Sequence, residues 1–277
     1  MIVLVPYLMT IYFHGMPGKF SGGREDAGIE QKVIQMVAAE MSGHYETEAL
    51  KAQAVCARTY AYRQIQANAY SQYGAHVDDS TNYQENQEEN LETITFCVEE
   101  TAGEILTWKG EAIDAAYHAV SSGNTRNAAE VSGQEGKDYL QSVESRQDIS
   151  SMEYLNIIYM EKQEMAQKLQ GLLGDAATVD AEGLPDSLTI EARDSAGYVT
   201  RVRCGSVVLN GEAVRDALGL SSSCFYFSQS DGKIRITCKG EGHGLGLSQY
   251  GANELAKEGK NYREILKYYY QDVKISK

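Results

Sequence analysis

Positive charge is in short supply in this chain. Lys and Arg total 25 against 39 Asp and Glu, a formal net charge of −14 over 277 residues. Phosphate backbones demand a basic footprint, so nucleic acid is excluded as a partner. The same deficit argues against broad electrostatic attachment to anionic lipid. Cysteine is sparse too. Cys56, Cys97, Cys204, Cys224 and Cys238 are an odd number without a Cys-x-x-Cys pair, which excludes a full disulfide framework and a zinc cluster of local spacing. Buried thiols on neighbouring strands suit Cys204, Cys224 and Cys238, although one bridge among them stays open. The five histidines, His14, His44, His76, His118 and His243, are scattered and form no His-Glu-x-x-His pair, so the zincin mechanism has no support. His76 beside Asp78 and Asp79 reads as part of an exposed polar loop, and no metal or cofactor is expected. No Gly-x-Ser-x-Gly elbow activates Ser121, Ser122 or Ser248, and Cys56 lies in an Ala-rich helical run.

Long apolar runs are also missing. Met1 to Phe13 carries no charge but is too short for a full membrane span of roughly 20 residues. It lacks a basic leader and a small-residue cleavage site, so a cleaved signal peptide fits poorly. We read residues 1–28 as a short N-terminal membrane anchor followed by a Gly- and charge-containing linker from Gly15. The alternative is an apolar strand, for which Pro6 is awkward.

What remains is ample for a packed interior: 43% of the residues are apolar. The expected fold class is α+β, a mixed helix-and-sheet core over residues 29–277 with a mostly β inserted lobe at about 145–238. A helical pair fills residues 29–67, an exposed loop residues 70–92, and a helix runs from about Asn86 to Thr101. Strands follow at Ile105–Trp108 and Ile113–Tyr117 around a Lys109-Gly110 turn. Residues 151–173 include a helical pattern. From Ser187 to Cys238 strands dominate, with turns at Asp194–Gly197 and Asp231-Gly232 and a short helix near Glu212–Leu218. No internal repeat is visible.

The most informative stretch runs from Val33 to Arg63. Val33, Met36, Val37 and Glu40 share one face at the helical period. A carboxylate at the end of an apolar stripe is costly when ionised, which favours the protonated acid that cleavage of a glycosidic bond requires. The alternative is that Glu40, in the last helical turn, points to water. On the next helix Lys51, Arg58 and Tyr62 form a polar stripe that could bind sugar hydroxyls or carboxylates, or simply a solvated face. The segment from Gly242 to Gly251 alternates Gly242, Gly244 and Gly246 around His243 and presents Ser248, Gln249 and Tyr250. It contains no Lys for a phosphate. Its amides suit sugar, or its glycines serve packing at a strand-to-helix corner.

Three blocks carry a resemblance. AAEM (Ala38–Met41) followed by EALKAQAVCARTYAYR (Glu48–Arg63), then YHAVSSGNT (Tyr117–Thr125), then GHGLGLSQYGA (Gly242–Ala252) with AKEGKNYREILKYYY (Ala256–Tyr270), lie in one order over about residues 30–275. They resemble the SpoIID (stage II sporulation protein D) family, which includes amidase-enhancer proteins of the LytB type. The resemblance implies a lytic transglycosylase that cleaves between N-acetylmuramic acid and N-acetylglucosamine in peptide-free glycan, with Glu40 as the single acid and base. It implies substrate contacts from Lys51, Arg58, Tyr62, His118, Ser121, Ser122, His243, Ser248, Gln249 and Tyr250. Peptidoglycan strands, a cell-wall amidase and engulfment membrane proteins are the implied partners. The implied setting is outside the cytoplasm, membrane-anchored at the engulfing septum of a sporulating cell. The runner-up is a glycan-binding activator of an amidase that does not cut. Some members of the family place a Cys/His zinc site near the acid, but residues 70–90 here hold no cysteine, and the metal is not carried over.

Overall fold

The computed structural model describes residues 24–68, 88–131, 134, 136–174 and 178–277. Residues 1–13, the anticipated anchor, and the His76, Asp78, Asp79 group lie outside them. The described chain is of mixed α+β class, with helices and several small sheets. It divides into two compact units, one formed by residues up to Ala116 together with Ala252–Lys277, the other by Tyr117–Gly251.

In the first unit, α1 (Arg24–Glu40) and α2 (Thr47–Asn68) are joined by a short turn, and α3 (Glu88–Glu100) packs against both. The linker expected to end at Gly28 therefore stops earlier, because Arg24–Gly28 already forms the first turns of α1. The periodic stripe of α1 is buried: Val33, Met36 and Val37 face inward. On α2, Ala49, Ala52, Ala54, Ala57 and Ala61 are buried, and their small side chains let neighbouring backbones approach closely. Strands β1 (Ile105–Trp108) and β2 (Glu111–Ala112) form a two-residue hairpin over Lys109-Gly110, both at positive φ, as this tight turn requires. Ile113–Ala116, expected as strand, is irregular. The chain returns through most of α6 (Gln249–Lys257) and through α7 (Tyr262–Tyr269) to β11 (Lys274–Ser276), which pairs antiparallel with β1. Helix α7 begins with a capping box between Asn261 and Glu264.

The second unit opens with β3 (Tyr117–His118), parallel to β10 (Leu247–Ser248). Strands β4 (Leu155–Met160), β8 (Phe225–Ser230) and β9 (Lys233–Lys239) form an antiparallel sheet in the order β4-β9-β8. Strands β5 (Leu188–Arg193), β6 (Val199–Cys204) and β7 (Val207–Asn210) form another. Helices α4 (Lys162–Leu173) and α5 (Gly211–Leu218) pack with the inner faces of these strands around Leu169, Val202, Phe225 and Ile236. The helical pattern expected within 151–173 is α4, and it is preceded by β4, in which Ile157 to Met160 alternate outward and inward. The second unit also extends on both sides of the segment 145–238 expected for an inserted lobe. All five cysteines are free and buried.

Candidate active site

Glu40 is the last residue of α1 and is half-buried. Beside it opens a cleft of about 270 Å³ lined by Ala38, Ala39, Glu40, Met41, Ser42, Gly43, Leu91 and Ile94. The origin of this geometry is local. The buried stripe Val33–Met36–Val37 sets the rotation of α1, which leaves the next position of the same face at the helix end. Met41 turns into the core and the chain reverses through Ser42-Gly43. Leu91 and Ile94, one turn apart on α3, supply the apolar far wall. Glu40 is the only carboxylate among the described lining residues.

The stripe on α2 divides. Arg58 is completely buried and its guanidinium is fully engaged. Nε donates to both carboxylate oxygens of Glu30 at 2.9 and 3.1 Å, and Nη2 donates to Glu30 Oε2 at 2.7 Å. Nη2 also reaches the carbonyl of Val98 at 3.0 Å and Nη1 that of Glu104 at 3.2 Å. One side chain thus ties α2 to α1 and to the carbonyl end of α3, a bidentate pairing that only Arg can make. Arg58 does not face a groove; this corrects the expectation of a substrate contact. Lys51 is half-buried, paired with Glu48 at 3.1 Å and set 5.8 Å from the ring centroid of Phe96. Tyr62 is half-buried on the same helix. Cys56 is inert: burial pushes its thiol up to about 12, and its sulfur lies 3.4 Å from the Tyr270 hydroxyl.

The remaining expected contacts lie in the second unit, and most are interior. Ser121, Ser248, His118 and Gln249 are buried, whereas Ser122, His243 and Tyr250 are half-buried. Their organiser is Asp148, which the sequence reading missed. The Ser121 amide donates to its Oδ2 at 2.8 Å and the Ser248 hydroxyl to its Oδ1 at 2.9 Å, joining two blocks 127 residues apart. Burial raises the Asp148 carboxyl above the usual range, and the serine donors oppose that rise. Ser122 donates from its hydroxyl to the Ala196 carbonyl at 2.8 Å, and its amide donates to the Tyr198 hydroxyl at 3.1 Å. The Tyr250 amide donates to the Ala119 carbonyl at 3.1 Å.

Arg126 is the second centre that was missed. It is buried, paired with Asp194 at 2.6 Å and with Glu212, and stacked 4.7 Å from the Tyr198 ring centroid. Its Nη1 donates to the His243 carbonyl at 3.1 Å and its amide to the Gly244 carbonyl at 2.8 Å, so it clamps the glycine-rich loop. The glycines there answer a packing need. A Cβ at Gly244 would stand 2.5 Å from the Tyr198 ring, and one at Gly242 2.8 Å from the His118 Cβ, both at positive φ. The Gly242 amide donates to the Ser221 carbonyl, and the Leu245 amide to His243 Nδ1 at 3.0 Å. Both are therefore committed within the fold rather than offered to sugar.

His118 donates from Nδ1 to the Leu245 carbonyl at 3.1 Å, and its ring lies 5.8 Å from that of His243. Burial, with His243 and Arg126 nearby, pushes it down to about 3, so the ring is neutral. Its Nε2 is buried without a partner among the described residues, as is Nε2 of Gln249. No group of three or more His, Cys, Asp or Glu among the described residues is placed to hold a metal ion.

Comparison with known proteins adds a different kind of observation. Residues 24–108 match the family model described as SpoIID, stage II sporulation protein. The chain is 38% identical over 267 residues to stage II sporulation protein D of Bacillus amyloliquefaciens, covering 91% of this chain and 75% of the relative. It is 35% identical to stage II sporulation protein D of Bacillus subtilis (strain 168), with the same coverage. A more distant similarity, 26% identical over 281 residues, is to a protein of Bacillus subtilis (strain 168) named amidase enhancer, covering 83% of this chain and 38% of that protein.

Proposed function

The chain belongs to the stage II sporulation protein D family, and from that premise we propose that it is a lytic transglycosylase acting on peptide-free peptidoglycan strands. The observation that carries this reading is the Glu40 cleft: one half-buried acid, an apolar far wall of Leu91 and Ile94, and no second carboxylate among the described lining residues. Glu40 then gives its proton to the glycosidic oxygen between N-acetylmuramic acid and N-acetylglucosamine, and the bond to C1 breaks. The resulting carboxylate takes the proton of the muramyl C6 hydroxyl, whose oxygen bonds to C1 and closes a 1,6-anhydro ring. The acid is regenerated and no water is consumed. Hydrolysis would require a second carboxylate to activate water.

We extend the proposal to the setting. The domain works outside the cytoplasm, tethered by residues 1–13, on glycan that a cell-wall amidase has stripped of peptides. No helix among the described residues is long and apolar enough to cross a membrane. The name of the 26% identical relative favours a second reading, a glycan-binding enhancer of an amidase that makes no cut of its own. Mass spectrometry of purified peptide-free strands incubated with the full chain alone separates these. Anhydro-muramyl ends, lighter than a hydrolytic product by one water, support the transglycosylase. Unaltered strands, together with faster cleavage by an added amidase, support the enhancer.

A further inference from the structure

The sheet β4-β9-β8 buries one face in the core of the second unit and leaves the other to solvent. By the antiparallel register its outward positions include Leu155, Ile157 and Tyr159 on β4, Lys233, Arg235 and Lys239 on β9, and Tyr226 on β8, and Lys233 pairs with Glu161, just past β4, at 2.6 Å. The three on β4 are 51%, 38% and 58% exposed. Such residues are unusual on a free edge, which proteins blunt with charge, proline or a cover. Strand β4 carries neither charge nor proline: it reads LNIIYM, pairs with β9, and its other edge meets no strand among the described residues. The opposite edge of the sheet differs. There Arg193 donates to the Phe225 carbonyl at 2.8 Å and covers the Tyr226 ring at 4.2 Å, so β8 is capped by a side chain.

The charge of this face is opposite to that of the chain. Arg235 lies across from Tyr159 and Lys239 across from Leu155, and neither makes an ion pair among the described residues. The Nε of Arg235 is buried without a hydrogen-bond partner among the described residues. Lys239 lies 5.5 Å from the ring centroid of Tyr226. No carboxylate belongs to the outward set, although the whole chain carries −14.

We propose that the β4 edge and the outer face of this sheet form a docking site for an acidic polypeptide segment, which adds as an extended strand beside Leu155–Met160. Backbone hydrogen bonds to the open edge supply affinity, and its alternate side chains meet the apolar and cationic positions.

The test uses the full chain and a fluorescent probe peptide of alternating valine and glutamate, with an alternating valine and lysine peptide as control. The acidic peptide should bind and the basic one should not. Arg235→Glu combined with Lys239→Glu should weaken the acidic peptide by about tenfold or more, as reversal of complementary charge does. Ile157→Lys, which keeps both cations, should also weaken it by removing the apolar contact. Hydrogen exchange on the wild-type chain gives a readout independent of any variant: the amides of Leu155–Met160 should slow when the acidic peptide is added. Equal binding of the two peptides, or protection confined to other segments, would overturn the proposal. So would concentration-dependent self-association that protects β4 without peptide, which would make the occupant a second copy. Protection of the same face by peptide-free glycan but not by peptide would make it a sugar platform instead.

Discussion

Two carboxylates of this chain, Glu40 and Asp148, stand in opposite surroundings. Glu40 is half-buried at a helix end, beside a cleft with apolar walls. Asp148 is wholly buried and accepts from the Ser121 amide and the Ser248 hydroxyl. The first has room for a substrate and the second has none. A carboxylate that accepts from the fold's own serines contributes order, whereas one that borders open volume has room beside it for chemistry. The same contrast separates Arg58 and Arg126, buried with internal partners, from Lys51, which is half-buried beside Glu48 and Phe96.

The largest effect that sharpens this contrast is on catalysis. Glu40→Gln keeps the volume and removes the proton, so cleavage of denuded strands should fall by about 10² to 10⁴, with the thermal midpoint unchanged. Cleavage at the wild-type rate would move the acid elsewhere and strengthen the enhancer reading.

Next comes Arg58→Ala, which removes the guanidinium from Glu30 and from the Val98 and Glu104 carbonyls. Unfolding in urea should show a loss of about 3–5 kcal/mol, nearer the lower figure because Glu30 is 22% exposed. Activity per folded molecule should hold. A fall in that activity at unchanged stability would return Arg58 to the substrate and erase the contrast with Glu40.

A smaller effect lies in pH. His118 is pushed down from 6.5 to about 3 in the folded chain, so below pH 6.5 the unfolded chain binds a proton that the folded one refuses. Stability from this residue is present above pH 6.5 and is lost as pH falls from there toward about 3. The slope should approach about 1.4 kcal/mol per pH unit. Melting curves between pH 7 and pH 5 should show it in the wild type and a shallower slope in His118→Asn. Equal slopes would mean that His118 takes up its proton freely in the folded chain.

The smallest effect belongs to Lys51→Met. Its partly exposed pair with Glu48 is worth less than about 1 kcal/mol, so the melting midpoint should hardly move. A loss as large as that of Arg58→Ala would show that Lys51 too is structural.

Much of the first unit was legible in the sequence. The stripe Val33, Met36, Val37 ended in Glu40 because burial on one face of a helix writes itself at the helical period. The Lys109-Gly110 and Asp231-Gly232 turns were readable because both central residues take positive φ, which those pairs tolerate. The partners of Arg58 were not. Glu30 lies 28 residues away, and nothing in local spacing distinguishes a cation bound for a tertiary partner from one bound for water. Asp148 sits in a short 3-10 turn from Arg146 to Ser150 without periodic pattern, and its role exists only once Ser121 and Ser248 converge on it. The glycines around His243 were visible, but the rings of Tyr198 and His118 that require them come from distant segments. Strand β4 was hidden because the apolar run LNIIYM precedes a true helix and shares its composition.

In the proposed reaction one carboxylate runs both proton transfers and water takes no part in the cleavage. Incubating peptide-free strands with the full chain in water enriched in heavy oxygen tests this most directly, because the fate of the solvent oxygen reports the attacking group. The account predicts anhydro-muramyl ends that carry no heavy oxygen. Reducing ends labelled with heavy oxygen would contradict it and show that a second carboxylate activates water beside Glu40.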